Sequence, residues 1–387
     1  MRQKAANPKL PPVPKARMAF LAGGGLALLA GLDAALLRLG LAAPVESASL
    51  SSLHGILMLY GFLGTAITLE RAVALRSDKA SVTWWGFVAP AASGLGVIAA
   101  LIGTAMSGSP FTRIIPAALW VLSMLALVVI YLVIWTRQQT FFLLIQILGA
   151  VAGLIGITLW GRGLDVPLVV PWWTAFLVLT IIGERLELAR IAFLDPRLET
   201  RITAEVLAFV FALPLTLLAP VAGYILLGAA LIVLVLDVAT HDVARRLVHT
   251  QGLPRFSAAA MLSGYAWALV AGGIWLVGGA ALSGYRYDTV VHALTIGFAL
   301  SMVLAHAPII LPALARRPLP YSPALWVAWG TLQVGLAIRV ISGARDWQDG
   351  WQTGGVTNVL AVLGFALSVI ALLTFKKTPQ PTGGERP

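Results

Sequence analysis

The 387-residue sequence is 59% hydrophobic and only 11% charged, with a mean hydropathy of +0.89. These values exclude a soluble globular domain of this length and are typical of a polytopic α-helical membrane protein. The net charge is +11, but the positive residues lie in short loops and tails between apolar runs, so we do not expect nucleic-acid binding. The absence of cysteine also excludes disulfides, thiolate haem ligation and iron–sulfur clusters.

Continuous apolar runs of about 20 residues recur along the chain, and an α-helix needs this length to cross a bilayer. Barrel strands would instead alternate apolar and polar residues. The sequence therefore predicts an all-α polytopic membrane protein. Its single transmembrane domain occupies residues 18–376, between an N-terminal arm at 1–17 and a C-terminal tail at 377–387. Twelve spans are predicted, at about residues 18–40, 50–74, 84–106, 114–136, 140–160, 171–193, 202–220, 222–245, 257–281, 288–314, 321–343 and 354–375.

Positively charged residues are concentrated in the loops that follow the even-numbered spans. The loop after span 6 carries Arg190, Arg197 and Arg201, for example, whereas the loop after span 9 carries Arg286. Because cytoplasmic loops carry the excess of Lys and Arg, this bias predicts that both termini are cytoplasmic. The basic, proline-rich start of the chain has no A-x-A-like cleavage site after the first apolar run, so we expect a cytoplasmic arm and not a cleaved signal.

Span 2 carries a histidine near its predicted outer end, in the stretch LHGILMLYGFLGTAI. A polar ring in hydrocarbon is costly unless it has a partner, so His54 needs one. Gly61 follows His54 by about two turns on the same side of the helix and would let a flat ring approach the backbone. A lone membrane histidine is more often a hydrogen-bonded structural residue, but this pattern also fits one wall of a haem site.

Span 6 ends in the polar stretch IIGERLELARIAF. Glu184 and Glu187 are three residues apart and share a helix face. Intramembrane carboxylates often belong to proton relays. The alternative is a ladder of interfacial ion pairs with Arg185 and Arg190, and the arginines favour this alternative because they place the segment near the inner surface.

The end of span 8 and the following loop contain two aspartates and two histidines. Asp237 and His241 are four residues apart, so the carboxylate could orient the imidazole. Together with Asp242 and His249 they could form a cytoplasmic-side metal site. Their spread over a helix end and a loop favours a solvated surface instead.

Span 10 carries two histidines in the stretch DTVVHALTIGFALSMVLAHAPIILPALARR. At about 100° per residue, the spacing of His292 and His306 projects both rings from one helix face, roughly 21 Å apart. His292 lies near the outer end, at the depth predicted for His54. His306 points towards the cytoplasmic half, where it could be a second axial ligand, a proton acceptor, a quinone contact or a residue bonded to a neighbouring carbonyl.

Two neutral imidazoles at equal depth on different helices form the arrangement that axial haem ligation needs. His54 and His292 are therefore the expected ligands of a b-type haem. Arg339 in span 11 is deep enough in the membrane to need a partner. It could pair with a haem propionate or extend to the interface.

The same residues carry a resemblance to a known family. HGILMLYGF at residues 54–62 resembles the H-x-H-E-M-x-x-G-F element of the NnrS family, twelve-helix haem and copper membrane proteins of the bacterial nitric-oxide response. HALTIG at 292–297, followed by MVLA at 302–305, is similar to that family's H-A-L-T-x-G…M-x-L-A helix. More remotely, histidines on spans 2 and 10 resemble the low-spin haem ligation of haem–copper oxidase subunit I. The resemblance implies a haem protein of the bacterial inner membrane that binds nitric oxide or another small gas, or passes electrons.

The chain also departs from these families. Ile56 and Leu57 stand where the NnrS element has its second histidine and its glutamate. Leu294 stands where the oxidase has the second histidine of His-x-His, and spans 6 and 7 contain no histidine. An oxidase-type copper centre is therefore not expected, and whether copper binds elsewhere stays open.

Two other classes fit the same span pattern. A secondary transporter would also have twelve spans and intramembrane charges, with broken helices at the midplane of both halves. Gly272 and Gly273 in span 9 mark one candidate break. A membrane scaffold or assembly protein without a cofactor would use both histidines only to brace helices. The sequence does not determine whether the protein is an enzyme.

Overall fold

The computed structural model describes residues 14–76, 83–106, 108–188, 195–316, 319 and 321–375. Within these ranges the chain has no strands and confirms the predicted all-α membrane fold. Twelve helices are long and apolar enough to cross a bilayer. In chain order, spans 1 to 12 are Lys15–Arg38, His54–Leu75, Trp84–Ala105, Ile114–Arg137, Phe141–Gly161, Val166–Leu188, Pro196–Leu218, Pro220–His241, Gly252–Gly278, Gly284–Pro312, Ala324–Gly343 and Gln348–Leu373.

Several spans begin earlier in the chain than their apolar runs predict. Span 7 begins at Pro196, where the Asp195 side chain accepts a hydrogen bond from the backbone N–H of Arg197 at 2.9 Å. Polar caps and a first-turn proline favour a helix start but lower the hydropathy, so an apolar window excludes them. Span 1 begins at Lys15, inside the predicted arm. Spans 6, 9, 10 and 12 likewise begin early, at Val166, Gly252, Gly284 and Gln348.

An even number of spans returns the chain to the side of the bundle from which it entered. We call this side, where span 1 begins and span 12 ends, the terminal side, and the opposite side the far side. The charge bias predicts that the terminal side faces the cytoplasm. Of the residues behind that prediction, Arg190, Arg317 and residues 376–377 lie outside the described ranges, as do most of the arm and the tail.

Spans 2, 6 and 10 lie deepest in the bundle. In span 6, 83% of the apolar window is buried inside the protein, and in spans 2 and 10 the buried share is 67%. No other described span exceeds 56%. Arg71, Arg185 and His306 on these three helices are buried, where charged and polar groups need partners.

The helices of spans 2 and 10 both change their winding shortly after a histidine. Leu57–Gly64 and Ala293–Leu300 are π-helical, with hydrogen bonds that reach one residue further than in an α-helix. Such segments are rare and occur frequently at functional sites. The prediction that His292 and His306 share one helix face assumed the rotation of an α-helix, about 100° per residue, throughout span 10. The π-helical segment between them does not have this rotation.

Candidate functional site

The backbone of span 1 holds His54 at the far-side start of span 2. The Nδ1–H group of His54 donates to the carbonyl oxygen of Gly31, 2.8 Å away. Because a carbonyl only accepts, the neutral ring carries its proton on Nδ1 and keeps a lone pair on Nε2. The contact depends on close packing, since a Cβ atom on Gly31 would lie 2.6 Å from the sulfur of Met58.

His292 lies on span 10, one turn after an aspartate. Its Nδ1–H donates to the backbone carbonyl of Asp288 at 2.8 Å and lies 3.3 Å from the Oδ1 atom of the same residue. The neutral ring therefore has the same tautomer as His54. A carbonyl or carboxylate at the second ring nitrogen is the usual outer contact of a histidine that ligates a metal.

The structure brings these two imidazoles together. The ring centroids of His54 and His292 are 6.4 Å apart, and their planes are inclined by 23°. Among the described residues, Nε2 of neither ring makes a hydrogen bond to the protein. Both rings border the same cavity. Two imidazoles, each with an Nε2 atom that makes no hydrogen bond to the described residues, are thus fixed beside one space.

The cavity has a volume of about 930 Å³, within the range of small-molecule and cofactor sites. Its walls come mainly from spans 1, 2, 6, 10, 11 and 12. The histidines divide an apolar interior from a polar rim on the far side. Apolar residues of the interior include Met58, Leu63, Trp173, Leu300 and Val362, and the rim includes Arg38, Asp165, Tyr285, Asp346 and Trp347.

Asp288 connects His292 to a buried arginine. Arg339 donates from Nε and Nη2 to the two carboxylate oxygens of Asp288, at 2.8 and 2.6 Å. The indole N–H of Trp351 also donates to this carboxylate, at 3.0 Å, and its ring lies 4.8 Å from the Arg339 guanidinium. Arg339 therefore pairs with Asp288 inside the protein and does not extend to the membrane interface. Arg38 is the exposed cation at the cavity rim.

Sequence reasoning missed Asp288 as a site residue. A signal was present, because Asp288 precedes His292 by four residues, which is the spacing that pointed to Asp237 and His241. Its position near a predicted span boundary made it look like a surface residue. The structure places its side chain at 17% exposure, inside the rim.

His306 is separate from the cavity and uses both ring nitrogens within the protein. Its Nδ1–H donates to the carbonyl of Met302 at 2.8 Å, and its Nε2 accepts from Nη1 of Arg185 at 3.1 Å. Arg185 also donates to both oxygens of Asp242, at 2.9 and 3.0 Å. The Tyr265 hydroxyl donates to the same carboxylate at 2.7 Å. Of the roles predicted for His306, this geometry matches the structural bond and leaves no nitrogen for a metal.

Glu184 and Glu187 share one cation as their ion-pair partner, and this cation is not Arg185. Both carboxylates face Arg71 of span 2, at 3.6 and 3.7 Å. Arg185 points instead towards Asp242, so the predicted ion-pair ladder within span 6 is wrong for this arginine. Arg190, its other predicted member, lies outside the described residues. The sequence did not identify Arg71 as the partner because it lies on a different helix.

The residues at the end of span 8 do not converge on a metal site. Asp242 is buried against Arg185, whereas Asp237 pairs with Arg201 at 2.5 Å and lies 3.4 Å from Nδ1 of His241. Across the described ranges, no group of three or more His, Asp or Glu residues is arranged to hold a metal ion.

Comparison with known proteins gives a family but no curated relative. No curated protein matches this sequence. A family model matches residues 17–374, which extend from the first turn of span 1 to the end of span 12. The chain belongs to the family described as Domain of unknown function (DUF8744).

Proposed function

We propose that this protein binds one b-type haem in the cavity between spans 2 and 10, with Nε2 of His54 and Nε2 of His292 as its axial ligands. The observation that carries the proposal is the 6.4 Å separation of the two ring centroids, together with the engagement of both Nδ1 atoms by carbonyls. Bound haem would supply one-electron chemistry, which the side chains of this sequence do not provide by themselves.

The ring spacing fits two ligands on one metal ion. Imidazole nitrogens bind metal ions at about 2 Å, so two rings on opposite sides of an ion have centroids about 6 Å apart. A 23° inclination is compatible with this arrangement, because each ring plane has to contain only its own metal–nitrogen bond.

The cavity offers the surroundings that a haem requires. Apolar side chains such as Met58, Trp173 and Leu300 would contact the macrocycle. Arg38 at the far-side rim is the cation placed to meet a propionate, since Arg339 already pairs with Asp288. We therefore assign the role of propionate partner to Arg38 and not to Arg339. Arg339 acts on His292 through Asp288.

Two histidine ligands favour electron transfer over gas binding. If both histidines held the haem, nitric oxide or another small gas would have to displace one of their imidazoles. Both imidazoles are anchored at Nδ1, which opposes displacement. The resemblance of spans 2 and 10 to the NnrS family supports the haem, whereas the ligand geometry favours a role in passing electrons, with a quinone as a candidate partner.

The proposal is tested by the reduced-minus-oxidised absorption spectrum of the purified protein, with haem content measured per polypeptide. We expect a sharp b-type α band and one haem per chain. The exposed His249 offers a matched control, because His249→Ala removes a histidine outside the cavity and should leave the band unchanged. A colourless protein from haem-replete cells would contradict the proposal.

A secondary transporter is the second candidate, because of the π-helical segments. They interrupt spans 2 and 10, one in each half of the chain, and both spans line the cavity. The break predicted at Gly272 and Gly273 does not occur, since span 9 is continuous through them. A transporter would be colourless and would take up its substrate in proteoliposomes, so the same spectrum separates the two candidates.

A further inference from the structure

We propose that Glu70, Glu184 and Glu187 form, around Arg71, a proton-binding site that keeps at least one of these carboxyl groups protonated at neutral pH. We call these four residues the carboxylate cluster. It lies in the terminal-side half of the bundle, between spans 2 and 6. The proposal is independent of haem, because the cluster shares no residue with the histidine cavity.

The three carboxylates surround a single guanidinium group. Nη2 of Arg71 lies 3.1 Å from Oε1 of Glu70 and 3.6 Å from Oε1 of Glu184. Nη1 of Arg71 lies 3.7 Å from Oε2 of Glu187. Two of the three carboxylates therefore crowd around one nitrogen atom. Like charges at this range oppose joint ionisation.

Burial makes this crowding costly. The side chains of Arg71, Glu70 and Glu184 are only 9%, 22% and 16% exposed. Three ionised carboxylates around one guanidinium would leave an excess of two negative charges. The next cation along span 6, Arg185, is committed to Asp242. A buried site of this kind lowers its energy by binding protons.

Two buried polar groups without a hydrogen-bond partner border the cluster. The Tyr131 hydroxyl of span 4 is fully buried and has no hydrogen-bond partner, although its ring lies 6.0 Å from the Arg71 guanidinium. This hydroxyl is close enough to Arg71 and to all three carboxylates to interact with them electrostatically. A protonated carboxyl group can both donate and accept a hydrogen bond, so it would satisfy such neighbours.

Gln146 of span 5 provides the second such group. Its Nε2 donates to Oε2 of Glu187 at 3.0 Å, while its buried Oε1 atom has no partner. An ionised carboxylate cannot satisfy this oxygen because it has no proton to donate. A carboxylic acid carries this proton and can donate it to the oxygen. From span 10, His306 also lies near Glu70, so the titratable groups around the cluster come from spans 2, 4, 6 and 10.

The cluster has a route for protons to the terminal side. Glu187 is 49% exposed, whereas Glu184, one turn earlier on the same face, is 16% exposed. Protons from the terminal-side solution would reach Glu187 first and then the enclosed pair Glu70 and Glu184. The arrangement is a proton-loading site with one open entrance.

The test uses infrared difference spectroscopy of the purified full-length protein during a pH titration. Protonated carboxylic acids have a C=O stretch that is separate from the carboxylate bands and shifts in D₂O. We expect this band in the wild type at neutral pH. In Glu70→Gln and Glu184→Gln, the remaining acid should lose its proton about one pH unit or more lower, because one repelling charge is gone.

Two controls make the result specific to the cluster. Glu205→Gln removes a buried carboxyl group in span 7, and Glu199→Gln removes an exposed one, and neither should alter the cluster's component of the band. Arg71→Gln should keep the acid protonated to higher pH, while Arg71→Lys preserves the charge and should resemble the wild type. If one of the two glutamine variants fails to fold, the other still tests the site.

Three outcomes would overturn the proposal. The first is the absence of a protonated-acid band at neutral pH in the wild type, and the second is a band that Glu70→Gln and Glu184→Gln both leave unchanged. The third is a band that disappears when sodium or potassium chloride replaces choline chloride at equal ionic strength. The cluster would then be a metal-cation site and not a proton site.

Discussion

The two halves of the bundle differ in how their buried histidines are hydrogen-bonded. On the far side, His54 and His292 each use one nitrogen on a backbone carbonyl and leave the other beside a cavity. On the terminal side, His306 uses both nitrogens, and Arg185 and Asp242 satisfy each other. The far-side histidines therefore have the features of a ligand site, whereas the network of His306, Arg185 and Asp242 on the terminal side retains its charges within the protein.

The largest expected effect is on folding, from breaking the terminal-side network. Arg185→Leu leaves Asp242 buried without its cation and removes the donor to His306. Loss of one partner of a buried ion pair costs about 3–5 kcal/mol. Thermal unfolding of the purified protein, followed by circular dichroism, should show a large loss of stability.

An exposed arginine gives the control. Arg245→Gln removes a hydrogen bond to the carbonyl of Thr240, and both residues are exposed, so water replaces the lost donor. We expect a much smaller change in stability. Equal effects of the two substitutions would mean that the Arg185 network is not enclosed as the structure has it.

The far-side half should respond to changes around Asp288. Asp288→Asn weakens the orientation of His292 and removes the charge that pairs with Arg339. Loss of such an outer partner typically lowers cofactor affinity about 10- to 100-fold. Haem titration of the folded apoprotein, below its unfolding transition, should reveal this loss separately from the lower thermal stability that the unpaired Arg339 causes. Asp346→Asn, at the exposed rim of the same cavity, should leave haem affinity unchanged.

A smaller effect is expected at the contact between spans 1 and 2. In Gly31→Ala the new methyl group would meet the sulfur of Met58 at 2.6 Å, so the Met58 side chain behind it has to move. Overpacking of this kind costs about 1–3 kcal/mol. Gly25→Ala is the control on the same helix, because a Cβ there meets nothing within 4 Å. Equal unfolding temperatures for the two variants would contradict the tight packing behind the His54 hydrogen bond.

The fold was predictable because hydropathy reports membrane crossing directly. All twelve spans follow from apolar runs that the bilayer requires. The helix starts at Val166 and Pro196 were less predictable, since first turns carry polar and proline residues. The π-helical segments were not predictable, because Leu57–Gly64 and Ala293–Leu300 have sequences that an α-helix also accommodates.

The candidate site was predictable only where depth in the membrane was the relevant property. Equal depth paired His54 with His292 across the chain. Depth gives no rotation about the helix axis, so it could not show that Arg185 faces Asp242 while Glu184 faces Arg71. Partners on other helices depend on packing that a single sequence does not display.

The central claim is that His54 and His292 together ligate one haem iron. The most direct test is the electron paramagnetic resonance spectrum of the oxidised protein, recorded for the wild type, His54→Ala, His292→Ala and His306→Ala. The account predicts a low-spin ferric signal in the wild type and in His306→Ala, and its loss or conversion to high spin in the other two. A haem-containing protein whose low-spin signal survives both His54→Ala and His292→Ala would contradict it.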